Sequence, residues 1–119
     1  MAANPVAPNR ELQLITEKNV EGTIVHGSGR ITSATSELLQ STVRGLIPGT
    51  KRLVLDLAEV NYIDSSGIGA LVSVYIAAGR AECDLQLANL QPRIRDLFEL
   101  SRLTAVFEGR GGYKGLAPG

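Results

Sequence analysis

The sequence predicts an α/β fold: one domain with a small mixed, mostly parallel sheet flanked by helices, in the order β-β-α-β-α-β-α-β. Three observations carry that prediction. Short apolar runs, several with period-2 alternation, take turns along the chain with longer segments of helical period. Gly and Pro punctuate most of the boundaries between them. Strands separated by helices need crossover connections, which place them parallel in the sheet.

The first ten residues, MAANPVAPNR, read as a loose leader. Leu12 and Leu14 alternate with Glu11 and Gln13, the pattern of a half-buried strand. Residues 19–22 read as a turn and residues 23–26 as a second strand, together a hairpin that Gly27-Ser28-Gly29 interrupts. Over residues 34–47, Leu38, Leu39, Thr42, Val43 and Leu46 share one helical face. Thr32 or Ser33 is placed to cap that helix, Glu37 lies near its positive end, and Pro48-Gly49 stops it. Residues 51–57, KRLVLDL, hold three consecutive apolar side chains, as in a central strand covered on both faces. Ile68, Leu71, Val72, Tyr75 and Ala78 then recur at helical spacing up to Gly79. Leu85 and Leu87 alternate with Asp84 and Gln86 in a further strand. Gln91-Pro92 opens a third helix, with Ile94, Leu97, Phe98 and Ser101 on one face. Residues 105–108 read as a last short strand. The domain is thus expected over residues 11–108, followed by a flexible Gly-rich tail at 109–119.

A chain of 119 residues can bury a core without metals or disulfides. With three Tyr, two Phe and no Trp, that core must be built from Leu, Ile, Val and Ala. Twelve basic and twelve acidic residues cancel, so the basic excess of a nucleic-acid binder is missing. The lone Cys83 excludes an internal disulfide. The longest weakly polar run, residues 67–79, falls short of the roughly 20 residues a spanning helix needs. The reading is a soluble, cytoplasmic protein with no membrane insertion.

The stretch NYIDSSGIGAL at residues 61–71 draws the eye, because an acid and two serines sit where a strand should feed a helix. One use of these residues is structural. Asp or Ser at that junction accepts a hydrogen bond from an orphan amide of the first helical turn. Gly67 and Gly69 would let the turn pack closely on its neighbours. The other use is as a switch. A phosphate on Ser65 would meet a helix N-terminus, which tolerates negative charge. It would leave the fold intact and add about two charges beside Asp64. Catalytic readings fare badly. Neither serine lies in G-x-S-x-G. The only histidine, His26, falls in a predicted strand, where a structural role suits it better than catalysis. One His and one Cys cannot make a zinc site unaided. Val72 occupies the third position of a would-be dinucleotide fingerprint begun by Gly67 and Gly69. No cofactor, metal or enzymatic activity is expected.

The stretch RLVLDLAEVNYIDSSGIGAL, with LQPRIRDLFELSRL at residues 90–103, resembles the STAS family of bacterial anti-sigma factor antagonists. Asp64-Ser65-Ser66-Gly67-Ile68-Gly69 looks like that family's D-S-[ST]-G-[LI]-G phosphorylation motif. The resemblance implies that Ser65 is phosphorylated by an anti-sigma factor that is also a serine-protein kinase. It implies that the unphosphorylated form binds this kinase and releases a sigma factor, and that a PP2C-like phosphatase restores it. Asp64, Ser66, Gly67, Ile68 and Gly69 support the motif, with Ser66 a second candidate for modification. One departure stands out: where the family often has G-[DE]-[LI]-D, this chain has Gly29-Arg30-Ile31-Thr32. A base and a neutral hydroxyl replace two acids near the expected docking face, and Thr32 is carried as a loop position that touches a partner. The expected assembly state is a monomer or weak homodimer. The alternative is a STAS-fold binding module in a sensory or membrane-transport assembly, or a nucleotide or lipid binder, without a phosphoswitch.

Overall fold

A computed structural model describes residues 11–100. Its elements are β1 (Leu12–Asn19), β2 (Gly22–Ile31), α1 (Ser36–Leu46), β3 (Arg52–Ile63), α2 (Ser65–Arg80), β4 (Asp84–Ala88) and α3 (Pro92–Leu100). The sheet order is β1-β2-β3-β4; β1 pairs antiparallel with β2, and the other two pairs are parallel. This is the mixed, mostly parallel α/β architecture expected from the sequence. The strand at 105–108, the leader at 1–10 and the tail at 109–119 lie outside the described residues.

The hairpin forms because the Asn19 side chain accepts from the Glu21 and Gly22 amides at 2.8 and 3.1 Å. That two-residue turn sets the register, with Ile15 opposite His26. The expected interruption at Gly27-Ser28-Gly29 is not a break, since β2 runs through it. A side chain at Gly27 would crowd Leu14 and Val60, at 3.4 and 3.6 Å. Gly29 has φ 115°, and a side chain there would strike the Glu11 carbonyl. These glycines allow the close approach and leave the strand paired.

β3 carries two register shifts against β2, one between His26 and Ser28 and one between Gly29 and Arg30. Leu53, Leu55 and Leu57 point to the face covered by α1 and α2 and are fully buried. Each contributes about 1.5–3 kcal/mol of burial. The opposite face departs from the expectation of cover on both sides. Ile15 is exposed there, and Ile24, His26, Val54 and Asp56 are only half-buried. Three consecutive apolar residues arise because Val54 sits on that thinner side.

In α1, Leu39 and Val43 are buried, Thr42 and Leu46 half-buried, and Leu38 faces outward. The cap expected from Thr32 or Ser33 is not found. Thr35 holds the N-cap position and makes no side-chain cap bond. Its hydroxyl turns inward instead, as described below. Helix α2 runs one residue past Gly79. β4 stops opposite Asp56, and α3 flanks the remaining half of β3. Gln91 donates to the Ala58 carbonyl at 2.8 Å, and Ile94 and Phe98 enter the core.

Candidate functional site

β2 and β3 are parallel neighbours that end together, Ile31 opposite Ile63. The chain leaves β3 through Asp64 and enters α2 at once, which puts residues 64–69 at the carboxyl edge of the sheet. Asp64 is extended, at φ −113° and ψ −172°, and three of its polar groups are engaged. Its side chain accepts from the Gly67 amide at 3.0 Å and its carbonyl accepts from the Ile68 amide at 2.9 Å. Its own amide donates to the Ile31 carbonyl at 3.2 Å. Asp64 is thus both the helix cap and the tie to β2.

With the cap supplied by the acid, Ser65 and Ser66 are left exposed, and neither hydroxyl has a hydrogen-bond partner among the described residues. Gly67 is buried. A Cβ there would strike the Ile31 carbonyl oxygen and come within 2.7 Å of Ile63. Only glycine lets the first turn of α2 sit on the end of β2. Ile68 is half-buried against the core and holds that turn down. Gly69 departs from expectation: nothing lies within 4 Å of where its side chain would be. It is not a packing glycine. At i+4 from Ser65 and i+3 from Ser66, it leaves a bare patch beside the two hydroxyls.

Through Ile31 the structure also brings the loop after β2 to this edge. Thr32 is at that junction but is buried, and its hydroxyl accepts from the Ala34 amide at 3.1 Å. Ser33 and Ala34 are the exposed positions of the loop. Thr35, which sequence reasoning missed, is the lock. Its hydroxyl donates to the Arg30 carbonyl at 2.9 Å and accepts from the Thr32 amide at 2.8 Å. A threonine in a run of small residues, Thr32-Ser33-Ala34-Thr35-Ser36, carries no signal of that inward turn. Arg30 is exposed and its guanidinium lies 4.8 Å over the Tyr62 ring, a cross-strand cation–π pair. The site edge therefore carries a cation where the resemblance would place an acid. Tyr62 and Ile63 also line an apolar groove with Ile94, Leu97 and Leu100.

Among the described residues no group of three or more His, Cys, Asp or Glu is placed to hold a metal ion, and no helix is long and apolar enough to cross a membrane. The arrangement is suited to presenting a hydroxyl on a small flat surface.

A family model described as STAS domain matches residues 11–114. BtrV of Bordetella bronchiseptica, named among the anti-sigma factor antagonists, is 28% identical over 95 residues, 78% of this chain and 82% of its own. Among solved structures, an anti-sigma factor antagonist from Mycobacterium paratuberculosis superposes with a TM-score of 0.71 at 22% identity, covering 80% of this chain and 81% of that one. A sulfate transporter family protein from Wolinella succinogenes gives a TM-score of 0.66 at 18% identity, covering 79% and 78%. At those identities the two structures speak for the fold alone.

Proposed function

This chain belongs to the STAS domain family, and we propose that it is an anti-sigma factor antagonist switched off by phosphorylation of Ser65. The observation that carries the reading is the division of labour at the start of α2. Asp64 makes the cap, and Ser65 stands exposed beside it with its hydroxyl unused. A phosphate on Ser65 would sit in the first turn of a 16-residue helix, where the dipole favours it. The fold would stay intact while the patch formed by Ser65, Ser66 and Gly69 gained about two negative charges.

A partner that covers this patch would have to bury the new charge. Leaving a buried charge uncompensated costs about 3–5 kcal/mol, and each 1.4 kcal/mol is about tenfold in affinity. Phosphorylation would thus weaken the complex on the order of a hundredfold or more. The partner in this reading is an anti-sigma factor with serine-kinase activity, and a PP2C-like phosphatase reverses the mark. The protein acts by binding, in the cytoplasm, and catalyses nothing itself. Ser33 and Ala34 of the neighbouring loop, rather than the buried Thr32 side chain, would meet the partner, and Arg30 would favour an acidic residue opposite it. The name carried by BtrV supports the antagonist reading. The transporter likeness is one of fold and does not favour a second function.

The test is intact-mass analysis with site mapping after incubation with ATP and an anti-sigma factor kinase of the same genome. The expected result is one phosphate on Ser65, absent from Ser65→Ala. Ser65→Asp should remain folded and lose the kinase, whereas Ser65→Ala should bind it. Binding indifferent to both substitutions, with no phosphate gained, would sink the reading.

A further inference from the structure

On the open face of the sheet, away from α2, three side chains from three strands meet. His26 of β2 lies between Glu17 of β1 and Asp56 of β3. Its Nε2 is 2.9 Å from Glu17 Oε1 and its Nδ1 is 2.9 Å from Asp56 Oδ2. The second oxygen of Asp56 is also committed. It accepts from the Ala58 amide at 3.0 Å, in the bulged part of β3, and from the Asn89 side chain at 3.1 Å, in the connection from β4 to α3. Glu17 and Asp56 are the charged groups that face His26, one from each neighbouring strand, and no cation pairs with either among the described residues.

The chemistry of that arrangement is one-sided. An imidazolium has two N–H donors and satisfies both carboxylates at once. A neutral imidazole has one donor, so one ring nitrogen must then face a carboxylate with lone pair against lone pair. The three strands are best joined only when the ring carries two protons. We propose that His26 is a proton-operated clamp that fastens the β1–β2 hairpin to β3 and lets β1 loosen when the ring loses its second proton. The hydrogen bonds that the ring donates to Glu17 and then Asp56 hold the His26 pKa above its ordinary value, outweighing the opposing effect of burial. A raised histidine pKa stabilises the fold fully below about pH 6.5, the unfolded value. That contribution is lost as pH rises through the folded-state midpoint. Asp56 does not blur this window. Burial pushes its carboxyl up, but hydrogen bonds from Asn89, Ala58 and His26 bring it below the usual range, so its own loss falls in acid.

His26 is the only histidine in the chain, so its ring signals in a proton NMR titration need no assignment. The titration should give a midpoint above the ordinary value, falling toward it in Glu17→Gln and in Asp56→Asn. Hydrogen exchange of the β1 amides, corrected for base catalysis of exchange itself, supplies the structural readout. Between pH 6 and pH 9 the opening of β1 should increase about tenfold for every pH unit by which the His26 midpoint falls in Glu17→Gln, because opening β1 takes only Glu17 from the ring. In His26→Gln that increase should vanish. An ordinary midpoint in the parent chain, a midpoint unmoved by Glu17→Gln, or the same pH dependence in His26→Gln would each overturn the clamp.

Discussion

Helices α1 and α2 begin in the same way, each where a parallel strand ends at one edge of the sheet, yet their hydroxyl groups are used oppositely. At α1 the hydroxyls of Thr32 and Thr35 are turned in and spent on the backbone of residues 30–34. At α2 an aspartate does the capping, and the hydroxyls of Ser65 and Ser66 are left in solvent. The comparison teaches that a hydroxyl at a strand–helix junction is available for modification only when other groups satisfy the backbone around it. Ser65 is free because Asp64 precedes it.

The largest effect that bears on this comparison is expected at the glycine that seats α2. Gly67→Ala places a methyl group against the Ile31 carbonyl, a backbone atom that cannot step aside. The expected loss is about 3 kcal/mol, seen as a fall of roughly 10 °C in melting temperature. Gly69→Ala, which meets nothing within 4 Å, should leave stability unchanged or slightly raised. Equal costs at the two positions would mean that α2 does not rest on β2 as described.

Next in size is the lock at α1. Thr35→Val keeps the shape and removes the hydroxyl, leaving the buried Thr32 amide without its acceptor. That should cost about 2 kcal/mol in denaturant unfolding. Ser65→Val, the matching change at α2, should cost far less. If both hydroxyls prove equally costly, the contrast between a spent and a free hydroxyl fails.

Much of this architecture was legible in the sequence, and what was not has identifiable causes. The element order, the hairpin turn at Asn19 and the helix start at Pro92 follow from local chemistry, which needs no knowledge of distant residues. Gly67 was legible as a packing glycine and Gly69 was misread as one, because only the neighbouring strand distinguishes them. The passage of β2 through Gly27–Gly29 was hidden for the same reason: the glycines answer to Leu14, Val60 and Glu11 across the sheet. Asp64 and Ser65 were singled out together, and the sequence left open which would cap. The partners of His26 were invisible, since β2 and β3 meet across the whole of α1 and their register is a tertiary fact.

The smallest and most discriminating effects lie within the Asp64-Ser65 pair itself. Asp64→Ala removes the acceptor of the Gly67 amide and should destabilise the chain by about 1 kcal/mol. Ser65→Ala removes an exposed hydroxyl with no partner and should change stability by less than about 0.5 kcal/mol. Urea unfolding of the two variants side by side measures the difference directly. If Ser65→Ala costs as much as Asp64→Ala, the serine shares the cap. A phosphate there would then have to break part of the helix end before it could act as a signal. If the costs separate as expected, Ser65 is no part of the cap, and the proposed phosphate on its hydroxyl would carry no structural penalty.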